Sequence, residues 1–231
     1  MPAEYRVDQP FDRIKARMTS DHVLHIQLNR PAHQNALCPR MWTELAQCFR
    51  AVQTNPDVRS VLLSGEGVGF CSGLDLTQTS FHAAPKGLIP SRKAYRLRTL
   101  IREIQAAVNQ IQSCHKPVVA AIHGYCIGGG IDLAAACDVR YCTDSAVFGI
   151  KDAALGVVAD IGTLQRLQKV VQGDSWVREI CLTGRTFSAD EAIRQGFVSS
   201  VYSSQQTMLE FALCTANSIA AQSPITVLGT K

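Results

Sequence analysis

The chain has 231 residues, of which 46% are hydrophobic and 18% charged. That length suits one large α/β domain, and that composition supplies a sizeable core, which excludes a disordered or low-complexity chain. The net charge of +4 is spread without a Lys/Arg run, so it excludes the basic arm of a nucleic-acid binder and is compatible with an anionic small ligand.

No apolar stretch reaches the length of a membrane span. The nine cysteines are odd in number and contain no C-x-x-C, and most sit among apolar neighbours, as in Ala134-Ala-Ala-Cys137. They read as buried, reduced thiols in a reducing compartment. Met1 to Arg17 carries Glu4, Asp8 and Asp12, and so reads as neither a secretory signal nor a transit peptide.

In chain order, the alternation of Val23-Leu-His-Ile-Gln-Leu28 predicts a strand. Trp42, Leu45, Phe49 and Val52 recur at helical spacing, predicting an amphipathic helix over 39–54. A second strand is expected over 58–63, ended by Ser64-Gly65-Glu66-Gly67. Residues 77–91, with Pro85, Lys86, Gly87 and Pro90, form the one long loop, a length often tied to function. A long helix follows over 92–113. Pro117 to Ile122 is a continuous apolar run, as in a strand covered on both faces. A Gly-rich turn then opens an Ala-rich helix ending near Cys137, and 139–142 is another strand. Short helices are expected near 162–171, 174–182 and 188–195, the last with Ser188 and Glu191 spaced as a capping box. A strand over 198–202 and a helix over 205–221 complete the pattern. Strands alternating with helices predict an α/β protein with a largely parallel sheet.

Two glycine-bearing turns each follow a strand: Phe70-Cys-Ser-Gly73-Leu74-Asp75-Leu76 and His123-Gly-Tyr-Cys-Ile-Gly128-Gly129-Gly130. Amides at such turns and at helix starts are free donors, and two that converge can hold an oxyanion. G-x-G-x-x-G and P-loop patterns are absent. The six histidines show no metal-ligand spacing, and His123, Cys71 and Cys126 read as structural. Asp132, Asp152 and Asp160 each sit among apolar residues, where burial raises a carboxyl pKa towards the range useful for moving protons. Taken singly, each has a structural reading: Asp132 bonding backbone, Asp152 paired with a base, Asp160 capping the helix at Gly162-Thr163.

Asn29-Arg-Pro31, Asn35-Ala-Leu37 and the two glycine turns, in this order and spacing, resemble the crotonase (enoyl-CoA hydratase/isomerase) family from about residue 20 to the end. The resemblance implies a ClpP-like β-β-α superhelix. It implies a core over 1–200 with the acyl-CoA site, and over 201–231 the start of a C-terminal helical, oligomerising region that is apparently truncated. It implies that the Leu74 and Gly129 amides form the oxyanion hole for a thioester carbonyl. Gly73, Asp75, Leu76 and Gly130 would line the substrate, and Asn29, Arg30 and Ala36 would lie near the CoA nucleotide. Ala159-Asp-Ile-Gly-Thr-Leu-Gln-Arg166 and Cys137-Asp-Val-Arg-Tyr-Cys142 are most similar to the dienoyl-CoA isomerase branch, in which an Asp stands where hydratases have Gly.

By that resemblance Asp152 serves C2, Asp160 serves C6 and Asp132 tunes both, with no metal or other cofactor beyond the CoA of the substrate. Asp152 is one methylene shorter than the Glu of the family, a displacement on the order of 1 Å. Hydration of a 2-enoyl-CoA, Δ3,Δ2 isomerisation, and a homologue that binds acyl-CoA without turnover are the competing expectations. A homotrimer or hexamer in peroxisome or mitochondrion, with no nucleic-acid partner, completes what the resemblance implies.

Overall fold

The computed structural model describes residues 11–19, 22–78 and 89–231. Six strands form the main sheet: β1 (Ile14–Met18), β2 (Val23–Leu28), β3 (Ser60–Gly65), β4 (Val118–Ile122), β6 (Val139–Thr143) and β9 (Ser200–Tyr202), in the order β1-β2-β3-β4-β6-β9. Only β1 runs antiparallel to its neighbour. A smaller sheet of β5 (Tyr125–Ile127), β7 (Val147–Gly149) and β8 (Thr186–Ser188) lies beside it. Single parallel bridges join Leu37 to Leu74 and Cys71 to Cys126, carrying this second ladder across both glycine turns. Strands in two ladders joined by helices give the expected superhelical α/β architecture.

Alternation along the strands fills two cores. Leu24, Ile26, Val61, Leu63, Val118, Ala120 and Ile122 face α1 (Pro39–Thr54), α2 (Pro90–Ser113) and α3 (Gly129–Ala136). Val23, Leu62, Val119 and Ala121 point the other way, onto α7 (Gln205–Ala220). That helix presents Met208, Ala212, Ala216 and Ala220 at a spacing of four, so one narrow apolar stripe, alanine at three of its four positions, lies against the sheet. The parallel strands are buried on both faces, which is why they read as unbroken apolar runs.

The remaining helices are α4 (Thr163–Val170), α5 (Asp174–Thr183), α6 (Ala189–Arg194) and α8 (Pro224–Thr230). The β2 and α1 boundaries match expectation. β3 lies two residues later than expected, taking in Ser64 and Gly65, because its register is set by pairing of Val23–Leu28 with Ser60–Gly65. The long helix begins at Pro90, and residues 79–88 of the expected loop lie outside the described residues. Ser188 accepts from the Glu191 amide at 3.3 Å, but the Glu191 carboxylate turns instead to Trp176 and Arg185, so only half of the capping box forms.

All nine cysteines are free; seven are buried, Cys181 is half-buried and Cys214 is exposed. Among the described residues no single helix is long and apolar enough to cross a membrane.

Candidate active site

The first glycine turn is laced on both sides. The Leu37 amide donates to the Gly73 carbonyl (2.8 Å), the Asp75 amide to the Leu37 carbonyl (3.1 Å) and the Ser72 amide to the Gln34 carbonyl (3.0 Å). Cys71 exchanges backbone bonds with Tyr125 and Ile127, which ties this turn to the second one. Gly128 precedes α3, and its own amide is spent on the Gly149 carbonyl at 2.8 Å. Among the described residues the Leu74 and Gly129 amides meet no protein acceptor. Gly73 has φ +99, and a Cβ there would stand 3.0 Å from the Ile127 carbonyl oxygen and 3.7 Å from the Gly129 amide nitrogen. Only glycine takes that backbone without strain, and only glycine leaves the space beside the amides open.

That space is one end of a cavity of about 710 Å³. Its walls are mainly apolar, with Leu76, Leu97, Ile101, Val157 and Val158 among them, and they include Asp152, Asp160 and Lys151. The size and character suit a small-molecule site: apolar walls with few polar groups at fixed positions.

Asp152 and Asp160 lie on the segment between β7 and α4, eight residues apart in sequence. Among the described residues neither carboxylate has an ion-pair or side-chain hydrogen-bond partner. Burial, then the charge of Asp160, pushes the Asp152 pKa above the ordinary carboxylate value; burial does the same at Asp160. Among the described residues neither structural alternative is seen. Asp152 pairs with no base among them, and α4 starts behind Gly162 with no side-chain cap.

Asp132 is placed differently. It lies in the first turn of α3, 3% exposed and off the cavity wall, and accepts a hydrogen bond from Thr163 Oγ1 at 2.8 Å. Burial pushes its pKa to about 7, against the pull of the Thr163 bond and with a further push from Asp152. It does not line the cavity.

The residues expected near the nucleotide also lie behind the turn. Arg30 is buried and pairs with Asp75 at 3.0 Å, and it donates to the Ala36 carbonyl at 2.5 Å. Asp75 also accepts from the Thr77 hydroxyl (2.6 Å) and from the Thr77 and Gln78 amides (3.0 and 3.2 Å). Burial alone would raise the Asp75 pKa, but these bonds outweigh it and hold the carboxyl below its usual value. Asn29 directly follows β2, its amide on the Arg13 carbonyl. Asn29, Arg30, Ala36, Asp75 and Gly130 do not line the cavity; Gly73, Leu74, Leu76, Gly129, Asp152 and Asp160 do. Arg30 thus clamps Asp75, the residue after Leu74, to the Ala36 carbonyl. Among the described residues no three His, Cys, Asp or Glu side chains converge as a metal site needs.

The sequence profile of the enoyl-CoA hydratase/isomerase family matches residues 18–231. The chain belongs to that family. This family member is 44% identical over 225 residues to the mitochondrial Δ(3,5)-Δ(2,4)-dienoyl-CoA isomerase of Mus musculus, covering 97% of the chain and 69% of the mouse protein. It is likewise 44% identical to the peroxisomal Δ(3,5)-Δ(2,4)-dienoyl-CoA isomerase of Arabidopsis thaliana, covering 92% of the chain and 77% of that protein. Among solved structures, an enoyl-CoA hydratase from Bacillus anthracis superposes with a TM-score of 0.83 at 30% identity, over 94% of this chain and 80% of the other.

Residues read from sequence only as helix packing, Leu97 and Ile101, turn out to line the cavity, as do Val157 and Val158. Their signal was faint: two apolar residues directly after Gly156, in a segment with no regular period.

Proposed function

We propose that this chain is a Δ3,5-Δ2,4-dienoyl-CoA isomerase of fatty-acid β-oxidation. The reading is carried by one observation: Asp152 and Asp160, which among the described residues have no ion-pair or side-chain partner, share the wall of an apolar cavity with Leu74 and Gly129, whose amides meet no acceptor among those residues. The thioester carbonyl oxygen accepts from the Leu74 and Gly129 amides. Asp152 removes a proton from C2, and the electron pair passes into the carbonyl to give an enolate, which fixed donors stabilise more than the ground state. The charge spreads along the conjugated chain to C6, where Asp160 delivers a proton. The C3=C4 and C5=C6 double bonds become C2=C3 and C4=C5. Raised carboxyl pKa values suit both roles, since each acid must hold and release a proton near neutral pH. The reading needs no metal or redox cofactor, because CoA belongs to the substrate. The relatives named dienoyl-CoA isomerase support it.

Hydration of a 2-enoyl-CoA is the second reading, supported by relatives such as the (E)-benzylidenesuccinyl-CoA hydratase of Thauera aromatica, 32% identical. Hydration asks for two acids around one bound water, and Asp132 lies off the cavity wall, which weakens it. A homotrimer or hexamer, in mitochondrion or peroxisome as for the two isomerases above, belongs to the same proposal.

The test is to supply 3,5-dienoyl-CoA and 2-enoyl-CoA separately. Appearance of the 2,4-dienoyl product with little hydration is expected. Hydration without isomerisation would replace the first reading by the second. Binding of acyl-CoA with turnover of neither substrate would make the chain a binding homologue.

A further inference from the structure

Resting on the isomerase reading, the proton balance leaves the enzyme in the wrong state after each turnover. Asp152 has gained the C2 proton and Asp160 has lost one to C6. Before the next cycle Asp152 must release a proton and Asp160 must acquire one. Two routes exist: direct return from Asp152 to Asp160, or separate exchange of each acid with water.

A second cavity, of about 310 Å³, bears on the choice. It shares Asp160 and Ile161 with the acyl cavity, so these two residues form the partition between the chambers. Its character is opposite. Gln105, Asn109, Gln112, Gln165, Arg166 and Lys169 line it. Arg166 is fixed within it, donating through Nε to Gln112 at 2.8 Å and through Nη2 to Asn109 at 2.5 Å. Gln105 donates to the Asp160 carbonyl at 2.7 Å and pins the partition from the chamber side. Gln165 and Lys169 are exposed, so the chamber opens to bulk solvent through one face of α4. A space of this size, at ~30 Å³ per water, holds on the order of ten waters, and its amide and guanidinium groups give them the polar partners they need. Lys169 brings exchangeable ammonium protons to the mouth.

We propose that this polar chamber is the proton supply of Asp160: after each turnover a proton passes from solvent, through the chamber's water, to the Asp160 carboxylate, while Asp152 returns the C2 proton to water through the mouth of the acyl cavity. One proton enters and one leaves per cycle, so charge balances without direct exchange between the two acids. Gln165 and Lys169 gate the supply, and neither touches the acyl cavity.

Two measurements test this. The first uses 3,5-dienoyl-CoA deuterated at C2, turned over in ordinary water by the full chain. The C6 hydrogen of the product is expected to come from solvent; deuterium carried from C2 to C6 would overturn the chamber in favour of internal return. The second closes the chamber with Gln165→Leu/Lys169→Leu, both one helical turn apart on an exposed face and compatible with helix. Reset follows product release, so kcat is expected to fall at least about tenfold while kcat/KM, which stops short of reset, stays within about twofold. An unchanged kcat overturns the proposal. Equal falls in both constants also overturn it, since they mark damage to the chemical step. If the parental protein makes no 2,4-dienoyl product at all, the isomerase reading itself fails, a result distinct from an active enzyme that moves its label internally.

Discussion

Replacing Arg30 by Met tests whether the oxyanion turn is held by the ion pair behind it. Arg30 and Asp75 are both nearly fully buried and meet at 3.0 Å. Removing one partner of a buried pair leaves an uncompensated charge, which costs about 3–5 kcal/mol. Asp75 would keep its three bonds from Thr77 and Gln78, so the lower figure, about 3 kcal/mol, applies. At ~2–4 °C per kcal/mol for a chain of this size, Tm should drop by about 6–12 °C at pH 7. The sign with pH follows from the depressed Asp75 pKa: the pair's stabilisation is present above the unfolded carboxyl value and is lost as pH falls through the lower folded value. The gap between parent and variant should therefore close as pH drops below about 4. Arg30→Met/Asp75→Asn removes both charges and should recover much of the lost stability. Activity should fall about 10²-fold in Arg30→Met, because a shift of Leu74 of about 1 Å spoils the donor geometry. Thermal melts at pH 7 and at pH values stepped down from 4 to about 2, with turnover of 3,5-dienoyl-CoA at pH 7, read both effects. An Arg30→Met protein that melts within a degree of the parent and turns over at the parental rate would refute the clamp.

Gly73→Ala should fold with strain, since φ there is +99, and place a methyl beside the two free amides; turnover should drop by at least about 10²-fold, and parental turnover would remove the oxyanion-hole assignment. Asp160→Asn should bind acyl-CoA nearly as well as the parent and lose about 10²-fold or more in isomerisation while C2 exchange in deuterated water continues; loss of both in a folded protein would make Asp160 the C2 base. Asp132→Asn tests the buried acid: with its folded pKa raised to about 7, the native state binds the extra proton between about pH 4 and pH 7, so this group's contribution erodes as pH rises through that window. The variant should therefore gain on the parent by up to about 2.6 kcal/mol between pH 5 and pH 8 in denaturant melts, and parallel pH profiles would place the Asp132 pKa elsewhere.

Much of this was legible in the sequence where local pattern and tertiary packing agree. Val23–Leu28 and the helix over 39–54 are set by their own periodicity, and the structure returns the same bounds. The strands Tyr125–Ile127, Val147–Gly149 and Thr186–Ser188 were not read, because three residues cannot display alternation and their pairing is supplied by segments tens of residues away. Ile14–Met18 and Pro224–Thr230 were likewise unread. In the site, glycine turns and isolated acids stand out in a sequence because their residue types conflict with their surroundings. Arg30 and Asp75 do not reveal their partnership that way: 45 residues separate them, and only the fold brings them together. The same holds for Asp132, which meets Thr163 of α4 from 31 residues away and does not line the cavity.

The bridge between Cys71 and Cys126 has a consequence for how the chain meets electrophiles and oxidants. These two thiols sit at the two glycine turns, fully enclosed, and burial pushes Cys71 up to about 12 and Cys126 well above its ordinary value. The nucleophile in thiol chemistry is the thiolate, so at neutral pH both remain inert for want of charge as well as access. Cys137 and Cys142 are held protonated in the same way, and half-buried Cys181 is raised to about 11. Cys214, on the outer side of α7, is the exposed thiol. Towards a maleimide or a mild peroxide, a chain of nine cysteines should respond as though it carried one, at a position where an adduct leaves the acyl cavity untouched.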